Sequence, residues 1–302
     1  MMVSQCPFCS SQSVPFLQAK DYNYRISTEV FFYDKCPSCG LIYLVNVPED
    51  MGKYYPENYY TIPPLAKLKR IARGERYMIE MVKEFVKSGR LLEVGSAFGI
   101  FAYQALDAGF MVDAIEMDKR CCDYLKNIIG VNVVNSDMPH KAVESMKKHD
   151  VIALWHVLEH LENPWECLGA LAENLTPGGI FIIATPNPEA FQLRIMSGYW
   201  PHIDAPRHIN LIPEKNLTEY LKRFGLQRVM LTTNDKGGRG WNRFGWQRYC
   251  MNYFSGKWMQ RIFFIGGYLI SSLMVLCDQW RFNGCAYTVI FQKNDMPITE
   301  RG

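Results

Sequence analysis

The sequence predicts an α/β fold built on a parallel sheet, and three features predict it. Residues 91–94 (LLEV) form an apolar strand that runs into a glycine-bearing turn, Glu93-x-Gly95-x-Ala97-x-Gly99, and then into a helix. Strand-like and helix-like stretches alternate from there to about residue 184, the order that gives a parallel sheet covered on both faces. Glu93, Glu116, Asp137 and His156 all fall at the carboxyl ends of strands, the edge at which such sheets hold ligands.

Each element follows in turn. Gly95 and Gly99 remove Cβ atoms where the backbone must turn sharply and a ligand must press on the main chain. Counted from Gly95, a dinucleotide fingerprint needs glycines at 97 and 100, where the chain has Ala97 and Ile100, so the turn points away from NAD and towards S-adenosylmethionine, which carries no phosphate. The helix after the turn stops at Gly109. A second strand, 110–115, ends at Glu116, where an acid can take both ribose hydroxyls. A third, 131–134, leads into Asp137, placed to accept from an adenine amino group. The fourth is 150–155; Thr176-Pro177-Gly178-Gly179 reads as a tight turn before a fifth, 180–184. A helix over 213–224 stops at Gly225, and strands 226–232 and 285–292 complete the series.

Composition bounds the rest. A chain of 302 residues with 48% hydrophobic content holds one large domain and a small one, and a net charge of +3 gives no argument for nucleic acid. The first fifteen residues are polar and carry two cysteines in place of an apolar core, so no secretory signal is expected and the cytoplasm is the default location. Of ten cysteines, the first four fall as two CxxC knuckles, Cys6-Pro7-Phe8-Cys9 and Cys36-Pro37-Ser38-Cys39. Two knuckles complete a closed tetrahedral site, so Cys6, Cys9, Cys36 and Cys39 are expected to hold a structural Zn2+. A redox pair or an iron site is the alternative. Metal binding would supply the free energy that so short a segment cannot gain by burial.

His156-Val157-Leu158-Glu159-His160-Leu161-Glu162-Asn163-Pro164 after the fourth strand, Pro177-Gly178-Gly179 and Pro186-Asn187 together make the chain similar to the class I S-adenosylmethionine-dependent methyltransferases, from about Leu91 to Lys293. Ala97 departs from the glycine that family often has. The knuckle Cys36-Pro37-Ser38-Cys39-Gly40-Leu41-Ile42-Tyr43 and the segment Tyr54-Tyr55-Pro56-Glu57-Asn58-Tyr59-Tyr60 extend the resemblance to a zinc-ribbon-bearing subgroup that includes sugar C-methyltransferases. Those carry a further carboxyl-terminal domain, for which this sequence is expected to be too short. The resemblance implies a seven-stranded Rossmann-like methyltransferase sheet, a zinc ribbon over 1–46, a linker over 47–76, and a methyltransferase domain over 77–302 with an apolar helical insertion, 234–284, before the last strand. Its implied cofactor contacts are Glu93, Gly95, Ala97, Phe98, Gly99, Glu116, Met117, Asp137, Met138 and His156. The acceptor is expected to be a small molecule with a saccharide-type or secondary-metabolite hydroxyl or carbon.

Methyl transfer needs acceptor, carbon and sulfur in line, water excluded and the acceptor's proton removed. His156, Glu159 and His160 would share one face of a helix, with His208 nearby, as candidate catalytic residues. Three readings stay open: His160 or His208 as general base oriented by Glu159; a divalent metal on His156, Glu159, His160 and His208, as in the similar cluster of small-RNA 2′-O-methyltransferases; or histidines that only hold loops. Tyrosines 54 to 60 either line the acceptor pocket or pack the linker, and residues 186–212 read as an ordered acceptor lid. The basic run Lys67, Lys69, Arg70, Arg73 and Arg76 reads as a solvated helix face, the alternative being a contact to a phosphate or pyrophosphate of an activated or lipid-linked sugar. Residues 236–248 interleave basic and aromatic groups, and residues 262–277 carry no charge. As a helix the latter would be about 24 Å long, short of the ~30 Å needed to cross a bilayer. The insertion is therefore expected to pack on the core, rest on the inner face of a membrane, meet a lipid-linked substrate or form a homodimer contact. The alternatives are a metal-dependent RNA 2′-O-methyltransferase and a non-enzymatic zinc-ribbon scaffold that binds partners through 236–277.

Overall fold

The computed structural model describes residues 4–56, 59–252 and 256–295, so Glu57 and Asn58 of the tyrosine segment and residues 253–255 of the insertion lie outside the described residues. The amino-terminal strands β1 (Val14–Ala19), β2 (Phe31–Lys35) and β3 (Ile42–Leu44) form an antiparallel meander. Helices α1 (Leu65–Gly74) and α2 (Tyr77–Phe85) lead to β4 (Arg90–Val94), α3 (Ile100–Asp107), β5 (Met111–Glu116), α4 (Lys119–Tyr124), β6 (Asn132–Asn135), α5 (Pro139–Glu144), β7 (His149–Trp155), α6 (Pro164–Asn174) and β8 (Leu175–Pro186). There follow α7 (Phe191–Met196), β9 (Asn210–Leu211), α8 (Glu214–Lys222), β10 (Leu226–Thr232), α9 (Lys236–Asn252), α10 (Lys257–Gln279) and β11 (Ala286–Lys293).

The main sheet has seven strands in the order β10-β11-β8-β7-β4-β5-β6. β11 runs antiparallel to both neighbours, and the pairings from β8 to β6 are parallel. Leu91, Val151, Ala153, Ile180 and Ile182 face one apolar layer with α2 and α3, while Leu92, Val94, Ile152, Leu154 and Phe181 face the other with α6 and α8. A strand buried on both faces must be apolar throughout, which is why β7 and β8 read as continuous apolar runs.

Three details depart from the sequence reading. Thr176-Pro177-Gly178-Gly179 lies within β8, whose register against β7 shifts between His149 and Val151, with Gly178 at φ +74° absorbing the irregularity. The amino-terminal sheet is completed by β9, giving the order β1-β2-β3-β9, so residues 210–211 of the larger domain share a sheet with the first 46 residues. The segment 186–212 is a wall and not a lid: Trp200, His202, Arg207 and His208 are buried in it. Arg207 fixes that wall through ion pairs to Asp21 (2.6 Å) and Asp204 (2.8 Å). The basic side chains on and beside α1 are exposed, as a solvated face requires.

The insertion is a hairpin of α9 and α10. Gly267 sets its spacing, since a Cβ there would lie 2.5 Å from the Gln247 Cα. α10 has 23 residues and an expected length of about 34 Å, longer than its charge-free run because the helix takes in turns at both ends. By length and composition it could cross a membrane, contrary to the sequence expectation.

Candidate active site

The turn after β4 does what its glycines require. Gly95 (φ +70°) and Gly99 (φ +80°) occupy left-handed backbone, and a Cβ on Gly95 would stand 2.4 Å from a Val157 methyl. Ala97 adopts φ +46° without being glycine, and its N–H donates to Glu116 Oε2 at 2.8 Å. The Asp118 N–H donates to Glu116 Oε1, also at 2.8 Å. Glu116 is thus clamped at the end of β5, with lone pairs remaining on the cavity side. Burial raises its pKa, and these backbone donors oppose the rise.

A cavity of about 690 Å³ opens at this edge. Gly95, Ala97, Glu116, Met117, Asp137, Met138 and His156 line it, together with Trp155 and Tyr60. Glu93, Phe98 and Gly99 do not: Glu93 lies buried beneath the turn, where burial pushes its pKa up to about 8. Glu93 therefore supports the turn from below and makes no wall of the cavity.

A second cavity, of about 730 Å³, meets the first at His156, His160, Tyr59 and Tyr60. Its other walls come from Asn23 and Tyr24 of the amino-terminal module, His202, Asp204 and His208 of the buried wall, and Trp241, Phe244 and Arg248 of α9. The tyrosines divide: Tyr54 is buried against Phe31 and donates to Glu29, whereas Tyr55, Tyr59 and Tyr60 line the cavities.

The candidate catalytic residues meet at this junction, though not by sharing a helix face. Leu158–His160 is a single 3-10 turn, and His156 precedes it in left-handed backbone at φ +56°. His156 instead stacks on Trp241, with ring centroids 4.0 Å apart, and its Nδ1 lies 3.5 Å from Glu159 Oε1. Ligand-type atoms of Glu159, His160 and His208 lie within 4.8 Å of one another, and His156 stands outside that set. Glu159 is fully buried and accepts from the Thr185 hydroxyl at 3.0 Å. Burial alone would raise its pKa, but the adjacent His156 and the charges of the surrounding histidines bring it down to about 2.

Backbone carbonyls fix the histidine tautomers. His160 Nδ1 lies 3.0 Å from the Arg207 carbonyl, and His208 Nδ1 lies 2.8 Å from the His202 carbonyl. A carbonyl only accepts, so both Nδ1 atoms carry hydrogen, and in a neutral ring the lone pair is then on Nε2. Tyr55 Oη stands 3.1 Å from His160 Nδ1 and buttresses the ring. Burial, reinforced by His208, lowers the His160 pKa to about 4, so its imidazole is neutral at pH 7.

Sequence reasoning missed Asn23, Tyr24 and Trp155 as cavity residues, and had Trp241 only as part of a basic-aromatic run. Nothing in the spacing of Tyr24 could have signalled it. Trp241 could have been found from the aromatic spacing of 241, 244 and 246.

At the far end of the chain, the four knuckle sulfurs converge. Cys6 Sγ is 3.5 Å from Cys39 Sγ, and Cys9 Sγ is 3.5 Å from Cys36 Sγ. All four lie within 4.8 Å of one another.

A methyltransferase-domain family matches residues 68–231, more than half of the chain. The chain belongs to that family. It carries a methyltransferase domain on a seven-stranded sheet, the fold of the class I S-adenosylmethionine-dependent methyltransferases. Among curated relatives, a ubiquinone biosynthesis O-methyltransferase of Rickettsia bellii is 30% identical over 154 residues, covering 48% of this chain and 61% of that protein. A namesake in Rickettsia typhi is 29% identical over 169 residues, covering 52% of this chain and 65% of that protein. The matches thus span less than two thirds of these relatives' length. Among solved structures, coclaurine N-methyltransferase bound to N-methylheliamine and SAH superposes with a TM-score of 0.52 at 14% identity, covering 82% of this chain and 84% of that one. An S-adenosylmethionine-dependent methyltransferase from Archaeoglobus fulgidus gives 0.50 at 17% identity, covering 75% and 94%. These two likenesses concern the fold.

Proposed function

We propose that the methyltransferase moves the sulfonium methyl group of S-adenosylmethionine to a hydroxyl of a small, ring-bearing acceptor held in the second cavity. The observation that carries this reading is the junction of two cavities at His160 and His208, where backbone carbonyls engage both Nδ1 atoms and turn Nε2 of the neutral His160 to the acceptor. The first cavity lies within the roughly 300–1,000 Å³ range of cofactor sites. Its donor set suits the nucleoside: Glu116 offers carboxylate lone pairs to the ribose hydroxyls, Asp137 faces the adenine end, and the exposed Met117 and Met138 side chains would cover the base. When bound, S-adenosylmethionine supplies an activated methyl group on positive sulfur.

The chain's own residues do the rest. Tyr59 and Tyr60 close the passage between the cavities and exclude water. Trp241 and Phe244 hold an acceptor ring by face and edge contact. His160 Nε2, with His208 beside it at a centroid distance of 4.7 Å, takes the hydroxyl proton as the acceptor oxygen attacks. Glu159 stabilises the imidazolium that forms. The aromatic lining and the O-methyltransferase names of the relatives favour a secondary-metabolite hydroxyl over a saccharide.

A second reading is supported by the convergence of Glu159, His160 and His208: the three would hold a divalent metal that binds the acceptor oxygen. Transfer of labelled methyl from S-adenosylmethionine to catechol-type and sugar acceptors, run with and without chelator, separates the two. The base reading expects chelator-resistant O-methylation of the aromatic acceptor, lost in His160→Asn. Loss on chelation with recovery on adding metal supports the second reading, and the absence of O-methylation on either acceptor class contradicts both.

The knuckle sulfurs support a structural Zn2+, because four thiolates about 2.3 Å from one ion stand roughly 3.8 Å apart, close to the separations above. The zinc-bearing unit is the 1–46 segment, and 77–302 is the catalytic domain with 47–76 joining them.

A further inference from the structure

α10 packs Ile270 and Met274 on the core but leaves most of its apolar side chains outward. Its inward positions include Gly267, Ser271 and Asp278, all buried, while Trp258, Ile265, Leu269, Leu273 and Leu276 point outward and are 62–78% exposed. A water-facing helix has the opposite arrangement. The helix cannot roll to correct this, because Asp278 accepts from the Trp246 indole N–H at 2.8 Å and from the Gln192 amide at 3.3 Å. The exposed face is one continuous apolar stripe, larger than the scattered surface residues of a monomer.

The charges around the stripe name its partner. From Lys236 to Gln279 the sequence has six basic residues and one acidic, the acidic one being the buried Asp278. Arg239, Arg243 and Arg261 are exposed, and Trp258 and Trp280 mark the two ends of the stripe. We infer that this face of the α9–α10 hairpin docks on the surface of an anionic bilayer, its leucines in the acyl boundary and its arginines at the headgroups. A second copy of the chain fits less well, since a two-fold contact through this face would bring two basic rims together. Passage through the bilayer fits less well too, because α9 would carry Arg239 and Arg243 into hydrocarbon.

The docking hairpin forms one wall of the second cavity through α9. α9 lines that cavity with Trp241 and the half-exposed Phe244 and packs its other side on α10. Docking therefore holds the acceptor cavity close to the headgroups with the hairpin between them, which matches an amphiphilic acceptor drawn from the membrane surface. That consequence rests on the acceptor reading above; the docking itself does not, and it is measured without cofactor or acceptor.

The test is sedimentation of the full chain with vesicles of phosphatidylcholine alone or with added phosphatidylglycerol. The expected result is at least about tenfold stronger partitioning to the anionic vesicles. The triple variant Leu269→Ser, Leu273→Ser, Leu276→Ser should lower that partitioning about a hundredfold while binding S-adenosylhomocysteine as wild type does. Three outcomes overturn the proposal: partitioning unchanged in the triple variant, no preference for anionic vesicles, or a dimer in light scattering that the triple variant converts to monomer. Retention through alkaline carbonate extraction is a fourth, and would favour a spanning helix.

Discussion

The His160 imidazole, held near pKa 4 by burial and by His208, gives the account a pH signature. If its Nε2 is the base, the acid limb of kcat/KM falls at about 4 and not near 6.5, and His160→Asn lowers kcat by about 10²–10⁴-fold. The same depression bears on stability. The unfolded chain takes up a proton near pH 6.5 that the folded chain refuses until about 4, so stability declines as pH falls through that window and the His160 contribution levels off below it. Glu93 has the opposite sign. Its folded pKa of about 8 lies above the unfolded value, so its penalty is absent in acid and grows as pH rises towards 8. Glu93→Gln should therefore raise the chemical-denaturation midpoint at pH 8 and leave it little changed at pH 4. The acids and glycines of the cofactor edge were legible in sequence because turn geometry and strand ends dictate them. The His156–Trp241 stack was not, because it joins residues 85 positions apart across a left-handed bend that no local pattern demands.

Among the elements, strands were more legible than turns. Buried strands of a parallel sheet are apolar runs, and the sequence reading places β4 to β8, β10 and β11 within a few residues of their bounds, apart from the proximal part of β8. The segment 156–160 was misread as a helix because its spacing suits one, whereas Pro164 and Asn163 start α6 only later, with the Asn163 side chain capping Glu166 N–H. The knuckles were legible because metal chemistry fixes their spacing. Their expected content is one zinc per chain by elemental analysis, and Cys36→Ser should abolish it and lower the thermal midpoint.

Across the whole molecule, the sequence suggested modules in series, but the fold interleaves them. β9 completes the amino-terminal sheet, and the second cavity takes walls from the amino-terminal module, the tyrosine linker, the buried wall and α9. Such long-range assembly leaves no periodic trace. Its keystone is Arg207, buried between Asp21 and Asp204. Arg207→Met strands the buried Asp21 carboxylate and the partly exposed Asp204 and should cost about 3–5 kcal/mol in chemical denaturation, whereas Arg73→Met on the exposed face of α1 should cost little. All of these functional readings depend on the nucleoside occupying the edge between Gly95 and Asp137. Calorimetry with S-adenosylhomocysteine tests that occupancy most directly. The account predicts one-to-one binding that weakens at least about tenfold in Glu116→Ala and also weakens in Asp137→Ala, an exposed site whose change leaves the turn intact. No binding by the wild-type chain, or binding of equal strength in both variants, would contradict it.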